Sequence, residues 1–538
     1  MNLDMLKNGY ANDSRCFKIV DRVTASQPGQ IQLKGLHGSV APFIVTAVFN
    51  NASASQLNHL IILRDAEEAA YFHNTLENVT GALNLFYFPS SFKNKKNYRL
   101  LNASHVMLRT ECLTSFSNPL GQNRVGAIVT YPEALFEKVV LPKTLSANII
   151  SIKQADTIDP IAIYEKFVGY GFTRTDFVYE PGQFAVRGGI LDIYSFGNEK
   201  PYRIELFGNE VDSIRIFDPE TQLSERKLLQ VNIIPNVETQ FDSGEKVSIM
   251  KFLPENTVVW SEDWEFIKEK IEQEAEDLQL AVDSGQLAIR STQNEEDDLN
   301  FKSDLKINDF VNAATIEEQV KQRHIIEFGK KSFFANEKPE TIAFVTKEQP
   351  AFNRNFELLI KNLKGYEEQQ YNIYLFAENP KQLERLHVIF TDLKAELNII
   401  PVPTSIHEGF VDEDLKVVCY TDHQIFQRYH KYKVKQAFSK NKALTLKTLR
   451  ELQPGDYVTH IDHGVGVYSG LQKIEANGRM QEAVRIQYKD GDLLYVNISS
   501  LHKIGKYSGK EGTVPKMNKL GSDVWNKLKD KTKRQVKD

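Results

Sequence analysis

The residues Gly35-Leu36-His37-Gly38-Ser39-Val40-Ala41-Pro42 keep the frame of a phosphate-binding loop without the groups that do its chemistry. A working loop reads G-x-x-x-x-G-K-[ST]. Its backbone N–H groups cradle the phosphates, its Lys reaches the terminal phosphates and its hydroxyl holds Mg²⁺. In this chain Gly35, Gly38 and Ser39 follow the alternating run Ile31-Gln32-Leu33. The last glycine of the motif is Val40, the lysine position is Ala41 and the hydroxyl position is Pro42. Proline also removes one backbone donor from the cradle. Such a loop is expected neither to bind nor to hydrolyse ATP. Two readings follow: a relic of a nucleotide-binding fold kept to bind something else, or merely a glycine-containing turn between a strand and a helix.

Other chemistry is sparse. His460 and His463 flank Asp462 but lack further ligands at metal-binding spacing, so no metal site is expected. Gly464 and Gly466 beside them suit a tight turn. The cysteines, Cys16, Cys112 and Cys419, are far apart with no CxxC. They form no disulfide framework or zinc ribbon, and fit a reducing cytoplasm. No nucleophile–base arrangement or carboxylate pair stands out. No signal-peptide core opens the chain, and no apolar run approaches a membrane span. A net charge of −5 opposes wholesale coating of DNA. Charge is uneven: residues 501–538 carry eleven Lys/Arg against four Asp/Glu, while residues 262–300 are strongly acidic. The basic tail suits nucleic-acid contact or a solvated helix face.

With 538 residues, the chain exceeds one hydrophobic core and predicts several domains. Residues 1–142 alternate short apolar strands (60–63, 83–88, 125–130) with helices (66–78 and one opening at Pro132), the pattern of a parallel sheet of helicase type. Residues 143–230 switch to hairpin signals, with Gln183 to Ser195 as one strand kinked at Gly188-Gly189, reading as an antiparallel β module inserted into that layer. Residues 231–330 return to mixed structure as the rest of the first domain. A charged helix at 262–280 carries Phe266, Ile267, Ile271 and Leu278 on one side. Residues 335–435 read as a second small α/β domain, and 436–450 as a linker. Residues 451–508 hold four or five short strands with tight turns, for which a Tudor/SH3-like small β-barrel is the natural closure. Residues 509–538 begin a new linker and helix. The fold class is thus multidomain α/β and β.

The small β unit carries the most specific signal. Leu452-Gln-Pro-Gly-Asp-Tyr-Val-Thr-His-Ile-Asp-His-Gly-Val-Gly-Val-Tyr468 resembles the RNA-polymerase-interacting module of CarD and of transcription-repair coupling factors of the Mfd family. Asp492-Leu-Leu-Tyr-Val496 and Ser499-Ser-Leu-His502 continue the likeness. Upstream, Gly171-Phe-Thr-Arg-Thr-Asp176 and Gly182-Gln-Phe-Ala-Val-Arg-Gly-Gly-Ile-Leu-Asp-Ile193 resemble the UvrA-binding insertion of UvrB. Lys519-Leu-Gly-Ser-Asp-Val-Trp525 resembles the lead into a translocase motor. The whole is similar to the N-terminal half of a transcription-repair coupling factor, truncated before that motor.

This resemblance implies an adaptor that binds stalled RNA polymerase through its β subunit and recruits UvrA to start nucleotide excision repair. It places UvrA contacts at Arg174, Phe184 and Arg187, with a third UvrB arginine falling on Ala185; Phe184, three residues before Arg187 and so on the opposite face of a strand, is equally a core residue. It places polymerase contacts at Lys473, Ile474 and Glu475, with Ile474 on an open edge strand, where its alternative role is barrel core. It implies no catalysis and no cofactor here; ATP, Mg²⁺ and most DNA contact would belong to the absent motor. The expected protein is cytoplasmic and monomeric. The competing readings are a UvrB-like damage-binding ATPase, opposed by Ala41 and Pro42, and a CarD-type transcription regulator, opposed by the 143–230 insertion.

Overall fold

The computed structural model describes residues 2–81, 84–94, 97–117, 125–219, 222–241, 246–284, 306–334, 340–428, 453–460, 462–476, 479–497, 504–507, 515, 517, 519 and 520. The expected linker at 436–450, nearly all of 509–538 and the acidic stretch 285–300 lie outside them. The chain divides into two compact units: residues 1–149 with 236–435, and residues 150–235 with 436–538.

The first unit is built on a seven-stranded sheet whose pairings are all parallel. Its order is Glu340–Ala343, Gln30–Lys34, Ile325–Glu327, Thr257–Ser261, Asn58–Ile62, Ala127–Thr130, Leu85–Tyr87. The strands Asn58–Ile62 and Thr257–Ser261 are buried along their length, as central parallel strands covered on both faces must be. One polar residue there has a specific partner: His59 Nδ1 accepts from the indole N–H of Trp260 at 3.0 Å. Local chemistry sets the helix ends. Asp65 caps Ala66–Thr80 by accepting from the N–H groups of Glu67 and Glu68, and Gly81 closes it in the left-handed region. The N-terminal helices Asn2–Ala11 and Ser14–Val23 were not foreseen. The second carries Cys16, Ile19, Val20 and Val23 at helical spacing, and these are buried, as are Leu6 and Tyr10 of the first.

A second sheet in this unit runs Thr346–Glu348, Phe410–Asp412, Val417–Thr421, Asn372–Phe376, Ile399–Val402. Helices Phe356–Glu368 and Pro380–Asp392 accompany it, and Leu359, Leu363, Ile373, Leu386 and Val418 pack into its core. The expected small domain at 335–435 therefore needs correction. Its first strand, Glu340–Ala343, belongs to the large sheet, where it pairs with Gln30–Lys34 and covers that edge. The charged helix also differs from expectation. It spans Trp264–Asp283 and buries Trp264, Ile267, Ile271, Glu274 and Leu278, a 3–4–3–4 stripe that leaves Phe266 exposed.

The second unit contains two β assemblies. One is a six-stranded sheet ordered Ser224–Leu228, Glu210–Phe217, Tyr202–Phe207, Ile190–Ile193, Gln183–Arg187, Thr173–Arg174. All pairings are antiparallel except the last. The stretch 183–195 is not one kinked strand: Gly188 has φ 59°, and the chain turns there into a hairpin. The module begins at Ile150 rather than at 143, because Ile150–Lys153 pairs with Gln230–Ile233 and closes its base. The helix Pro142–Ala147 stays with the first unit.

The other assembly is a five-stranded antiparallel sheet ordered Leu493–Asn497, Arg479–Gln487, Gly464–Ala476, Tyr457–His460, Ile504–Lys506. Along its second strand, Val484, Ile486 and Tyr488 are buried while Arg485 and Gln487 are less so, the expected period of two. Among the described residues no helix is long and apolar enough to cross a membrane.

Candidate functional site

The strand Gln30–Lys34 runs into the loop Gly35–Ser39, and the helix Val40–Phe49 follows. This strand–loop–helix order is that of a phosphate cradle, and Gly35 and Gly38 hold φ of 76° and 55°, which glycine adopts without strain. Pro42 sits in the first helical turn, where its missing N–H is tolerated, and its carbonyl accepts from Thr46 Oγ1 at 2.7 Å.

The loop's polar groups are satisfied from within the chain. The N–H of Ser39 donates to the Glu408 carbonyl at 3.1 Å, and Ser39 Oγ accepts from the N–H of Glu408 at 2.9 Å. The N–H of His37 donates to Thr346 Oγ1 at 3.0 Å, and that hydroxyl donates to the Gly35 carbonyl at 2.6 Å. A Cβ on Gly35 would overlap the Phe344 carbonyl oxygen, and one on Gly38 would lie 2.6 Å from that of Gly409. The neighbouring helix fixes the same incoming segment. Thr75 Oγ1 accepts from the N–H of His407 at 3.1 Å, Asn78 donates to the Ser405 carbonyl at 2.9 Å, and Tyr71 stacks on His407 with centroids 3.6 Å apart. Segments 344–346 and 405–409 thus occupy the cradle.

The electrostatics also oppose a phosphate. Burial, together with Glu348 and Glu68, raises the Glu408 carboxyl above its ordinary range. Glu262, just past the end of Thr257–Ser261 on the same edge of the parallel sheet, is pushed up to about 7 by burial and by Glu68. The charge of Glu68 acts on both carboxyls, and Arg64, which pairs with Glu68 and lies 3.8 Å from Glu262, offsets part of it. An apolar strand ending in Ser261-Glu262-Asp263 is the sequence signal that reveals this second group.

On the inserted module, Arg174 is exposed on the two-residue edge strand Thr173–Arg174. Arg187 is partly exposed and already paired: Nη2 meets Asp192 Oδ2 at 2.5 Å, Nη1 donates to the Asp176 carbonyl at 2.6 Å, and the guanidinium lies 4.6 Å from the centroid of Phe177. Asp192 is fully buried and is shared with Arg203 at 2.7 Å. Two arginines on one carboxylate leave one net positive charge at this edge, suited to an acidic surface. Phe184 must be corrected: it is 1% exposed, stacked on Tyr164 and edge-on to Phe167. Its place three residues before Arg187 turns it into the core, so it supports the strand and presents nothing outward. Ala185 is likewise buried.

In the five-stranded sheet, Lys473, Ile474 and Glu475 lie opposite Glu482, Gln481 and Met480. Of the strand Gly464–Ala476, only Gly464–Val467 is paired by Tyr457–His460, and a register shift between Tyr468 and Leu471 marks where the hairpin leaves the sheet. Residues 471–476 are therefore paired on one side by Arg479–Gln487, and no described strand pairs their other side. The side chains of 473–475 and the turn at Asn477-Gly478 lie outside the described residues. His460 and His463 stack at 4.7 Å, and His460 Nδ1 accepts from the N–H of Asp462 at 3.1 Å, so this pair has a structural account.

Fold and sites together define a class: a parallel α/β core whose first strand–loop–helix turn is filled from within, with two β modules that have partly open edges. Residues 150–238 match the UvrB interaction domain family, and residues 452–508 match the CarD-like/TRCF RID domain family. The chain is similar to the transcription-repair-coupling factor of Bacillus subtilis (strain 168), 24% identical over 573 residues and covering 94% of this chain. It is similar at 24% identity to that of Staphylococcus aureus (strain bovine RF122 / ET3-1), over 92% of this chain. The chain spans about half the length of the curated relatives it matches, 47% of each.

Proposed function

We propose that this chain is the adaptor portion of a transcription-repair coupling factor, joining stalled RNA polymerase to UvrA. The observation that carries the reading is the presence, in one chain, of a UvrB interaction domain and a CarD-like/TRCF RID domain. The five-stranded sheet, closing as a small barrel of Tudor/SH3 type, offers the open side of residues 471–476 to a strand of the polymerase β subunit. Backbone bonds would supply affinity and Ile474 an apolar contact. The inserted module offers Arg174 and the arginine pair on Asp192 to acidic groups of UvrA. No ATP chemistry is assigned to residues 35–42, where the N–H groups of His37 and Ser39 already have partners in the chain. The protein acts in the cytoplasm as a monomer, and the ATP-driven translocation implied for the longer protein rests on none of the residues described above.

The competing readings are less well supported. A damage-binding ATPase needs the cradle that Phe344, Glu408 and Gly409 occupy. A transcription regulator has no use for the domain at 150–238. The test is a bridging assay: immobilised RNA polymerase should retain UvrA only when this chain is added. Arg174→Ala should weaken UvrA retention about tenfold at low salt, without loss of polymerase binding. UvrA retained equally with and without the chain would overturn the reading.

A further inference from the structure

We propose that residues 175–181 form an aromatic clasp that docks the 150–235 module on the five-stranded sheet and, while docked, holds Arg187 in its internal pairing. The segment behaves like a strand with two faces. Val178 is fully buried with Ala185, Tyr194 and Phe217 in the core of its own module. Its neighbours Phe177 and Tyr179 point the other way and pack against the core of the five-stranded sheet, which includes Val458, Val484 and Tyr488. Such alternation is the period of extended chain, so one short segment seals two cores.

The segment is held in that shape by its own module. Thr175 Oγ1 donates to the Phe177 carbonyl at 2.6 Å, and Gln183 Oε1 accepts from the N–H groups of Tyr179 and Glu180 at 3.0 and 3.1 Å. Gln222 Nε2 donates to the Val178 carbonyl at 3.3 Å, and Arg187 is a further brace. Its fork bridges the Asp176 carbonyl and Asp192, and its plane covers Phe177. To reach a carboxylate outside the chain, Arg187 must leave Phe177, and the ring then loses the support that aims it at the sheet. Docking and outward presentation of Arg187 therefore oppose one another. The proposal rests on the partner-facing reading of Arg187 only for this consequence; the docking itself does not need it.

The experiment uses the 538-residue chain with no partner protein present, so a failure of the UvrA reading leaves it interpretable. Hydrogen exchange by mass spectrometry compares wild type with Phe177→Ser/Tyr179→Ser. Exchange in 457–468 and 484–488 should rise about tenfold as the sheet loses its cover. Phenylglyoxal should modify Arg187 several-fold faster, with little change at Arg203. Val178→Ala, which damages only the module's own core, should speed exchange in 183–194 and leave 484–488 unchanged. If the double variant also loosens 202–217, Tyr179→Ser alone decides, and must speed exchange in 484–488 while 202–217 stays protected. Unchanged exchange in 457–468 and 484–488 in the deciding variant, Phe177→Ser/Tyr179→Ser or Tyr179→Ser alone, overturns the proposal, as does Arg187 reactivity equal to wild type.

Discussion

The filled cradle can be tested at one atom. Gly35 and Gly81 have nearly the same positive φ, 76° and 77°. A methyl group on Gly81 would meet nothing within 4 Å, whereas one on Gly35 would overlap the carbonyl oxygen of Phe344. Gly81→Ala should therefore show only the left-handed conformational penalty, about 1 kcal/mol. Gly35→Ala adds the displacement of a backbone segment. Relieving the overlap breaks the bonds from Phe344 N–H to the Lys34 carbonyl, from Thr346 Oγ1 to the Gly35 carbonyl and from His37 N–H to Thr346 Oγ1. At about 1 kcal/mol each, these bring the expected loss to about 4 kcal/mol. Trp260 and Trp264 are buried in this unit, so in a Trp525→Phe background their fluorescence during urea denaturation reports its unfolding. Equal destabilisation by the two alanines would show that nothing rigid fills the cradle, and the account of the loop would fail.

Three further outcomes follow from the same structure. Ala41→Lys/Pro42→Thr restores the missing side chains but should not confer ATP binding in calorimetry, because the N–H groups of His37 and Ser39 already have acceptors and Glu408 stands beside them; a saturable isotherm would refute this. Burial pushes His59 down to about 3 from 6.5, so the unfolded chain takes up its proton first: the stability His59 contributes is full above about pH 6.5 and falls by about 1.4 kcal/mol per unit as pH drops toward 3. The wild-type minus His59→Gln difference in urea midpoint should shrink over that window, and a pH-independent difference would show that His59 is not buried in its neutral form. Ile474→Arg should weaken polymerase β binding by about 2 kcal/mol or more in a pull-down with a folded variant, and unchanged binding removes Ile474 from that surface.

What the sequence revealed depended on how local each signal was. The loop between Ile31-Gln32-Leu33 and an apolar helix was legible, because three residue types decide whether a phosphate can be held. Its occupants were not, since Thr346 and Glu408 lie more than 300 residues away in sequence and neither resembles a ligand. The hairpin at Gly188 was foreseen as a kink, and that hid the pairing of Arg187. Once the turn is drawn, Arg187 lies opposite Ile190, and Asp192 two residues on comes within reach of its side chain. Periodicity predicts a helix at 262–280, close to the observed Trp264–Asp283, but groups Phe266 with the buried side, whereas the 3–4–3–4 spacing that starts at Trp264 leaves it outside. The open side of residues 471–476 was anticipated from family resemblance, not from hydropathy.

Loop and module follow one logic. A phosphate cradle is a set of backbone donors awaiting an anion, and a donor left unpaired beside protein is costly, so loss of the nucleotide favours any internal carbonyl that can take its place. Thr346 and the Glu408 carbonyl do this, and the loop becomes a joint between two sheets. Arg187 is in a similar position: its fork is satisfied by Asp192 and the Asp176 carbonyl rather than left open to solvent. The difference lies in exposure. The cradle's substitute partners are enclosed by the second sheet and by the helix carrying Thr75, so exchange with a free nucleotide would require moving a segment of backbone. Arg187 keeps 29% of its side chain exposed, and Arg203 can hold Asp192 without it. An acidic partner can therefore compete for Arg187 without leaving a buried charge unpaired, whereas ATP has no comparable route into the loop.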